Sequence, residues 1–461
     1  MIRLFRHYFP RPLLFLGLIE LALLFASGLF AWGFRIRQIG LQSQSLVDWL
    51  PETITYTVTV YIALLAVGAY QLASFRSMRM TIARLVLALL LSIVFLSIVT
   101  LFIPDVVVWR SVLFYAILIS LVGLSVLRFI FLQFIGWERF REPVIVIGAG
   151  RRGENMRVLA ALDTAPFRIV DHFALNTDQA LVKEARALAD LPSLAEFCIE
   201  NGVSHVVLAL DERRGKLPVT ALLDARLAGI PVSEKTNFIE RMSGRVDLGT
   251  VSPSWFIFSD GFLGSSTVSL AVKRTFDVTA SLLLLTATSP ILIVAALAVR
   301  LTSRGPIFYR QERVGQLGKT FMITKFRSMV QDAEKGGAQW ATKNDARVTR
   351  VGRILRSTRI DEIPQIWNVF VGDMSFVGPR PERPVFVDQL KAAIPYYNER
   401  HIVKPGITGW AQLNYPYGAS TDDARKKLEY DLYYIKNYTV FLDLVIMIQT
   451  ARVIIWQDGV R

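Results

Sequence analysis

Four apolar stretches crowd the first third of this 461-residue chain, at residues 13–34, 53–75, 80–103 and 111–135. Each has the roughly 20 residues a helix needs to cross a hydrocarbon core about 30 Å thick. That feature confines the N-terminal region to a membrane helix bundle of four spans. Arg3, Arg6 and Arg11, then Arg76, Arg79 and Arg84, then Arg128, Arg139 and Arg141 flank alternate connections, whereas Asp48, Glu52 and Asp105 mark the others. Basic loops stay on the cytoplasmic side, so both ends of the bundle are expected there. The first run has no small-residue cleavage site and reads as a span rather than a signal peptide. Glu20 lies within it, where a carboxylate serves either function or helix packing. Composition agrees with the membrane reading, with 52% hydrophobic residues and a mean hydropathy of +0.40.

From Pro143 the texture becomes alternating strand and helix signals: PVIVIGAGRRG, FRIVDHFAL, SHVVLAL and GIPV, with helical stretches expected at 181–189 and 219–227. This alternation predicts a Rossmann-like α/β cytoplasmic domain with a parallel sheet, over residues 139–240. Gly148, Gly150 and Gly153 form GxGxxG straight after a strand. That spacing suits a dinucleotide-binding turn and equally a tight strand-to-helix turn. Asp171 stands near the count expected for a ribose-binding acid, but its strand runs on past it. The lone Cys198 excludes an intrachain disulfide and a multi-thiolate metal site, and fits a reducing compartment. A connector over residues 241–269 carries Trp255, Phe256 and Phe258, suited to a membrane interface or to packing between domains.

A fifth apolar run, residues 278–299, is also long enough to cross, yet Lys273 and Arg274 precede it and Arg300 and Arg304 follow it. Both flanks therefore belong on the cytoplasmic side. Ser289-Pro290 near the middle removes a backbone donor and permits a sharp bend. The expectation is a re-entrant hairpin over residues 273–300, broken at Ser289 and Pro290, with the hydroxyls of Thr286, Thr288 and Ser289 meeting the freed backbone groups. The alternative is an ordinary proline-kinked span.

The net charge is +14, and residues 271–356 hold 15 Lys/Arg against 5 Asp/Glu. Without interleaved aromatics or a nucleic-acid motif, that block points to lipid or substrate phosphate and not to nucleic acid. Within it and just beyond, Arg310, Arg313, Lys325, Arg327, Arg356, Arg359, Arg380 and Arg383 surround one adjacent carboxylate pair, Asp361 and Glu362. Arginine forks match phosphate oxygens, and adjacent carboxylates call for a cation such as Mg²⁺. A carboxylate so framed can also attack phosphorus itself.

The motifs KRTFD, GPIFYRQERVG, KFRSM, DEIPQIWNV, GDMSFVGPRP and KPGITGWAQ occur in one order over residues 270–461. That region resembles the catalytic domain of the bacterial polyprenyl-phosphate hexose-1-phosphate transferases, the monotopic phosphoglycosyl transferases. The whole chain resembles the larger members, and ERMSGRVDLG with SPSWFIFSDGF resembles their exopolysaccharide subgroup. Where the family commonly has DELPQL, this chain has DEIPQI, a change that should spare the chemistry. The resemblance implies a re-entrant-anchored, mixed but mainly α catalytic domain. Asp361 would be the nucleophile on a UDP-hexose, with UMP leaving. Glu362, with Asp361, would hold Mg²⁺, and Arg380 would contact phosphate, joined in the substrate pocket by Arg356, Arg359, Arg383, Lys325 and Arg327. Undecaprenyl phosphate would be the acceptor. The setting would be the bacterial inner membrane, with the catalytic domain on its cytoplasmic face among membrane lipids and the protein a homodimer. A phosphatase that hydrolyses the same phospho-aspartate is the rival enzyme.

Overall fold

The computed structural model describes residues 2–4, 7–9, 11–40, 46–70, 77–162, 165–175, 181–211, 217–249, 251, 253–259, 261–262, 267–330, 347–416, 418 and 420–456. Two short strands, β1 (Ile2–Leu4) and β2 (His7–Phe9), open the chain. The rest forms two compact units, Tyr8–Gly244 and Arg245–Arg461.

The first unit begins with helices α1 (Arg11–Gln38), α2 (Leu50–Ala66), α3 (Met78–Phe102) and α4 (Arg110–Phe140). Leu24, Tyr56, Val60, Leu64, Leu85, Leu89 and Leu124 form their shared core. Leu18, Leu90, Leu101 and Val122 face outward on the same helices, as expected of surfaces that meet lipid. α1, α3 and α4 are long and apolar enough to cross a membrane, and the fourth such helix is not α2 but the Ser-Pro-containing helix of the second unit. The second expected span, 53–75, is represented by α2, a shorter apolar helix. α2 has 17 residues, about 25 Å of helix, because Gly68 takes the left-handed conformation (φ 71°) and ends it. Part of residues 53–75 lies outside the described residues.

Glu20 is completely buried among these helices. Arg128 Nε donates to its Oε1 at 2.6 Å, Arg128 Nη2 to its Oε2 at 3.0 Å and the Tyr70 hydroxyl to Oε2 at 2.6 Å. Arg128 Nη1 and Arg84 Nη1 also donate to the carbonyls of Ala69 and Gly68, just beyond the end of α2. Glu20 is therefore a packing partner, closing the bundle with a bidentate ion pair.

The α/β part contains β3 (Glu142–Ile147), α5 (Arg151–Ala160), β4 (Phe167–Ala174), β5 (Arg186–Ala187), α6 (Leu194–Glu200), β6 (His205–Leu208), α7 (Val219–Leu227), β7 (Val232–Glu234) and α8 (Lys235–Ser243). All strand pairs are parallel in the order β5-β4-β3-β6-β7, the doubly wound arrangement with its switch point between β3 and β6. The helix expected at 181–189 is instead an irregular segment, edge strand β5 and one 3₁₀ turn. The amides of Leu181 and Val182 bond to the Ala149 carbonyl over the glycine turn, and β5 pairs with the end of β4, so tertiary pairing overrides helix propensity.

The second unit holds α9 (Pro253–Phe258), α10 (Thr267–Thr302), the antiparallel ribbon β8 (Phe308–Val314) and β9 (Thr320–Phe326), α11 (Arg350–Ser357), α12 (Gln365–Val371), β10 (Ser375–Val377), α13 (Pro384–Ala393), β11 (Gly406–Thr408), α14 (Trp410–Asn414), α15 (Thr421–Lys436) and α16 (Val440–Trp456). Its core gathers Val369, Met374, Val377, Leu428, Leu432, Tyr433, Leu442 and Ile446. Trp255 and Phe256 pack against this core, and the first half of α16 lies within it.

Helix assignment in α10 runs through Pro290 without a break. The interruption lies in its hydrogen-bond ladder. Pro290 cannot donate to the Thr286 carbonyl four residues back, and the Ser289 hydroxyl donates there instead at 2.8 Å. Both ends of α10 dock on the second unit. Lys273 Nζ reaches Asp443 at 2.5 Å, Arg274 donates to the carbonyls of Val369 and Phe370, and Asp277 accepts from Ser375. At the far end Ala295 and Val299 pack on Phe326 and Leu355. Between these anchors Leu282, Leu283, Ile291, Ile293 and Val294 are exposed.

Candidate active site

Asp361 and Glu362 lie on a 3₁₀ turn, Ile360–Glu362, between α11 and α12. Arg359, just before it, holds a left-handed backbone (φ 60°), an unfavourable conformation for a side-chain-bearing residue and common where geometry serves chemistry. The Asn368 side chain, buried on α12, fixes the turn against β9: its Oδ1 accepts from Thr324 N at 3.0 Å and its Nδ2 donates to the Met322 carbonyl at 2.8 Å. The Asn of DEIPQIWN thus substitutes for a strand at the edge of β9. This brings Lys325 to the acidic pair.

The two carboxylates then diverge. Glu362 Oε1 accepts from Lys325 Nζ at 2.7 Å and Arg380 Nη2 at 3.0 Å. Burial alone would raise its pKa, but Arg380 and Lys325 more than reverse that and hold it well below the usual carboxylate range. Asp361, 8% exposed, accepts no hydrogen bond among the described residues. Burial, then the charge of Glu362, push its pKa up, while Lys325, Arg356 and Arg359 pull in the opposite direction. The Arg356 and Arg359 side chains make no hydrogen bond or ion pair among the described residues. The pair therefore comprises one fixed anion and one buried, more basic carboxylate facing two uncommitted guanidinium groups.

The remaining predicted residues are placed differently. Arg383 stands at the start of α13, close enough to Arg313 for the two charges to interact. Arg327 turns to the end of α10, where Nη2 donates to the Ser303 carbonyl at 2.8 Å and hydroxyl at 2.7 Å. Ser289 and Pro290 lie mid-α10, distant in sequence and role from the dyad.

The Arg380 loop is held by three donors from the quoted motifs and by Arg400, which the motifs did not single out. Four successive carbonyls of its loop each accept from a different donor: Pro379 from Gly406 N, Arg380 from Arg400 Nη2, Pro381 from Arg313 Nη1 and Glu382 from Val314 N. Arg400 is itself buried and paired with Asp431 at 2.9 Å and the Tyr397 hydroxyl at 2.7 Å. In the sequence this clamp is an arginine and an aspartate 31 residues apart, a spacing that names no partner.

The glycine turn of the first unit has a different character. The Arg151 and Arg152 amides at the start of α5 donate to the Asp211 carboxylate at 2.7 and 3.0 Å. A Cβ at Gly148 would strike the Ala209 carbonyl, and one at Gly153 the Gly148 carbonyl, so close packing explains those glycines. Asp171 lies within β4 opposite Ile145, three residues short of the strand end, and pairs with Arg186.

Residues 268–457 match the family described as bacterial sugar transferase. The chain is 44% identical over 235 residues to the UDP-N-acetylgalactosamine-undecaprenyl-phosphate N-acetylgalactosaminephosphotransferase of Aeromonas hydrophila, covering 51% of this chain and 55% of that protein. It is 40% identical over 216 residues to a UDP-glucose:undecaprenyl-phosphate glucose-1-phosphate transferase of Caulobacter vibrioides, 46% of this chain and 80% of the relative. The chain belongs to the bacterial sugar transferase family. The corresponding Escherichia coli glucose-1-phosphate transferase is 45% identical over 189 residues, 40% of each chain. The match thus spans about half the length or less of the Aeromonas and Escherichia proteins, and the family match at 268–457 falls on the unit that carries Asp361 and Glu362.

Proposed function

We propose that the chain transfers a hexose-1-phosphate from a UDP-hexose to undecaprenyl phosphate through a phospho-Asp361 intermediate, the opening step of an exopolysaccharide or other surface glycan. The observation that carries this reading is the asymmetry of the dyad, in which Glu362 is fixed by Lys325 and Arg380 while Asp361 is buried and accepts no hydrogen bond among the described residues. A carboxylate without hydrogen bonds is the stronger nucleophile of the two. In the first half-reaction an Asp361 oxygen bonds to the β-phosphorus as the bond from that phosphorus to the bridging oxygen breaks, and UMP leaves with the bridging oxygen. In the second, a phosphate oxygen of undecaprenyl phosphate bonds to the same phosphorus and Asp361 departs as carboxylate. Arg356 and Arg359 stabilise the transferring oxygens, and Arg380 keeps Glu362 ionised.

The donor set also fits Mg²⁺, which takes one or two carboxylates plus phosphate oxygens rather than a protein cage. Asp361 and Glu362 would hold it, and no cluster of three or more His, Cys, Asp or Glu suited to a metal occurs among the described residues. When bound, it supplies neutralising charge to the phosphoryl group.

Both docked ends of α10 favour a re-entrant path in the inner leaflet of the bacterial inner membrane. A straight crossing would carry one end away from the unit that anchors both. The catalytic unit would then lie at the cytoplasmic face, where a soluble nucleotide sugar and a membrane-bound acceptor meet. Replacing Ser289-Pro290 by Ala-Leu restores the ladder and should favour a full crossing. Cysteine labelling that still finds both flanks cytoplasmic would overturn the role given to this break.

The test of the chemistry uses purified protein, Mg²⁺ and a panel of UDP-sugars without acceptor. Intact mass should show a sugar-phosphate adduct and the supernatant UMP, with the adduct absent in Asp361→Asn. Lipid-dependent turnover without any adduct would mean direct transfer.

A further inference from the structure

Three arginines are buried among the described residues: Arg128, Arg327 and Arg400. Arg128 faces Glu20 and Arg400 faces Asp431. Among the described residues, Arg327 faces no carboxylate. It is 6% exposed, its Nη2 donates to Ser303, and its Nε and Nη1 have no hydrogen-bond partner among those residues. The charged group acting on it has the same sign, Arg300, whose Nη1 donates to the Gly305 carbonyl at 3.1 Å. Ser303 and Gly305 belong to the turn that ends α10, so two guanidinium groups converge there without an acid among the described residues. Capping the final carbonyls of a helix accounts for Arg327 Nη2 and Arg300 Nη1. It leaves two desolvated donors of a cation unmatched, an arrangement proteins avoid unless an anion completes it.

The position of this pair selects the anion. The exposed apolar stretch of α10 closes with Arg300 and Leu301, and a basic side chain at the end of such a stretch suits lipid phosphate. Lys325, two residues before Arg327 and on the same side of an extended chain, reaches Glu362. An oxyanion held by Arg327 and Arg300 would stand between the apolar segment and the dyad. A guanidinium fork with two free donors matches a phosphate monoester.

We propose that Arg327 and Arg300 bind a lipid-borne phosphate, placing the acceptor's head group beside the dyad before it attacks. This rests on the transferase reading above for the identity of the acceptor, but not for the existence of the anion site.

The test separates the half-reactions in full-length protein reconstituted in nanodiscs. Arg327→Gln and Arg300→Gln should each raise the KM for undecaprenyl phosphate about tenfold or more, the scale of a lost charged hydrogen bond. Adduct formation from the UDP-sugar alone should stay within about twofold. Arg327→Lys, which keeps charge without the fork, should recover part of the KM. Arg300 is exposed, so its variant reports even if Arg327→Gln folds poorly. An unchanged acceptor KM with loss of a co-purified anionic phospholipid, read by native mass spectrometry, would assign the site to bilayer phosphate. Unchanged KM and unchanged phospholipid, or equal losses in both half-reactions, would overturn the proposal. Wild-type protein that forms no adduct and shows no turnover would instead sink the transferase reading, and phospholipid retention would still decide the site.

Discussion

The glycine turn before α5 and the acidic turn before α12 are both places where backbone and arginine could receive an anion, and they differ in what already occupies them. At the first, the Asp211 carboxylate sits on the α5 amides. At the second, the charges of Arg356 and Arg359 act on Asp361, and neither side chain has a partner of its own among the described residues. The same contrast runs through the deeper charges, since Glu20 and Arg128 are bound to each other and, further, to Tyr70 and the Ala69 carbonyl. In the first unit charge fixes architecture, and in the second some charge is left for a substrate. A motif therefore signals binding only when its donors are uncommitted in the folded chain.

The sharpest way to break that contrast is Asp361→Asn. Transfer should fall by at least about 10³-fold if this carboxylate forms the covalent bond. Because burial raises its pKa in the folded protein, its favourable contribution is complete below the ordinary carboxylate pKa and is lost as pH rises through the raised value. Activity, which needs the ionised form, should rise over that interval. Asn should then raise the melting temperature at neutral pH while abolishing transfer. A fall in melting temperature would mean that Asp361 is a satisfied structural acid and that the contrast with Asp211 is false.

A smaller effect tests the bundle. Arg128→Gln leaves Glu20 buried without its bidentate partner and should destabilise the first unit by about 3–5 kcal/mol, seen as earlier unfolding in detergent. Adduct formation per folded molecule should not change. Loss of transfer in a stably folded Arg128→Gln protein would give the ion pair a functional role and remove it from the architectural side.

Much of this was legible in the sequence because it depends on local pattern. Alternating strand and helix signals yielded the parallel sheet, Val219–Leu227 is a helix with the expected bounds, and two of the basic residues grouped with the carboxylate pair, Lys325 and Arg380, do bond to Glu362. What escaped depends on partners far away in the chain. The end of α2 follows from the backbone of Gly68 and from Arg84 and Arg128 on other helices. The segment LVKEARALA has helical propensity, yet Ala149 and the end of β4 claim its backbone. Proximity in sequence groups Arg327 with the arginines around the dyad, while its side chain bonds to Ser303 at the end of α10. The Arg400–Asp431 clamp could not be paired by spacing at all.

The smallest expected effect lies at Asp211 and bears most directly on the glycine turn. Asp211→Ala uncovers the Arg151 and Arg152 amides and removes a negative charge from the α5 N-terminus, a loss of about 1 kcal/mol by analogy with helix caps. Hydrogen exchange at those two amides should accelerate by a comparable factor. Wild-type protein should show no protection there on adding NAD or ADP, because the carboxylate already holds the position a pyrophosphate would take. The Ala variant, by contrast, should gain protection with millimolar phosphate, since free amides at a helix start attract anions. If the wild-type amides respond to a dinucleotide, Asp211 is a movable occupant rather than a fixed one, and the first unit carries a binding site after all.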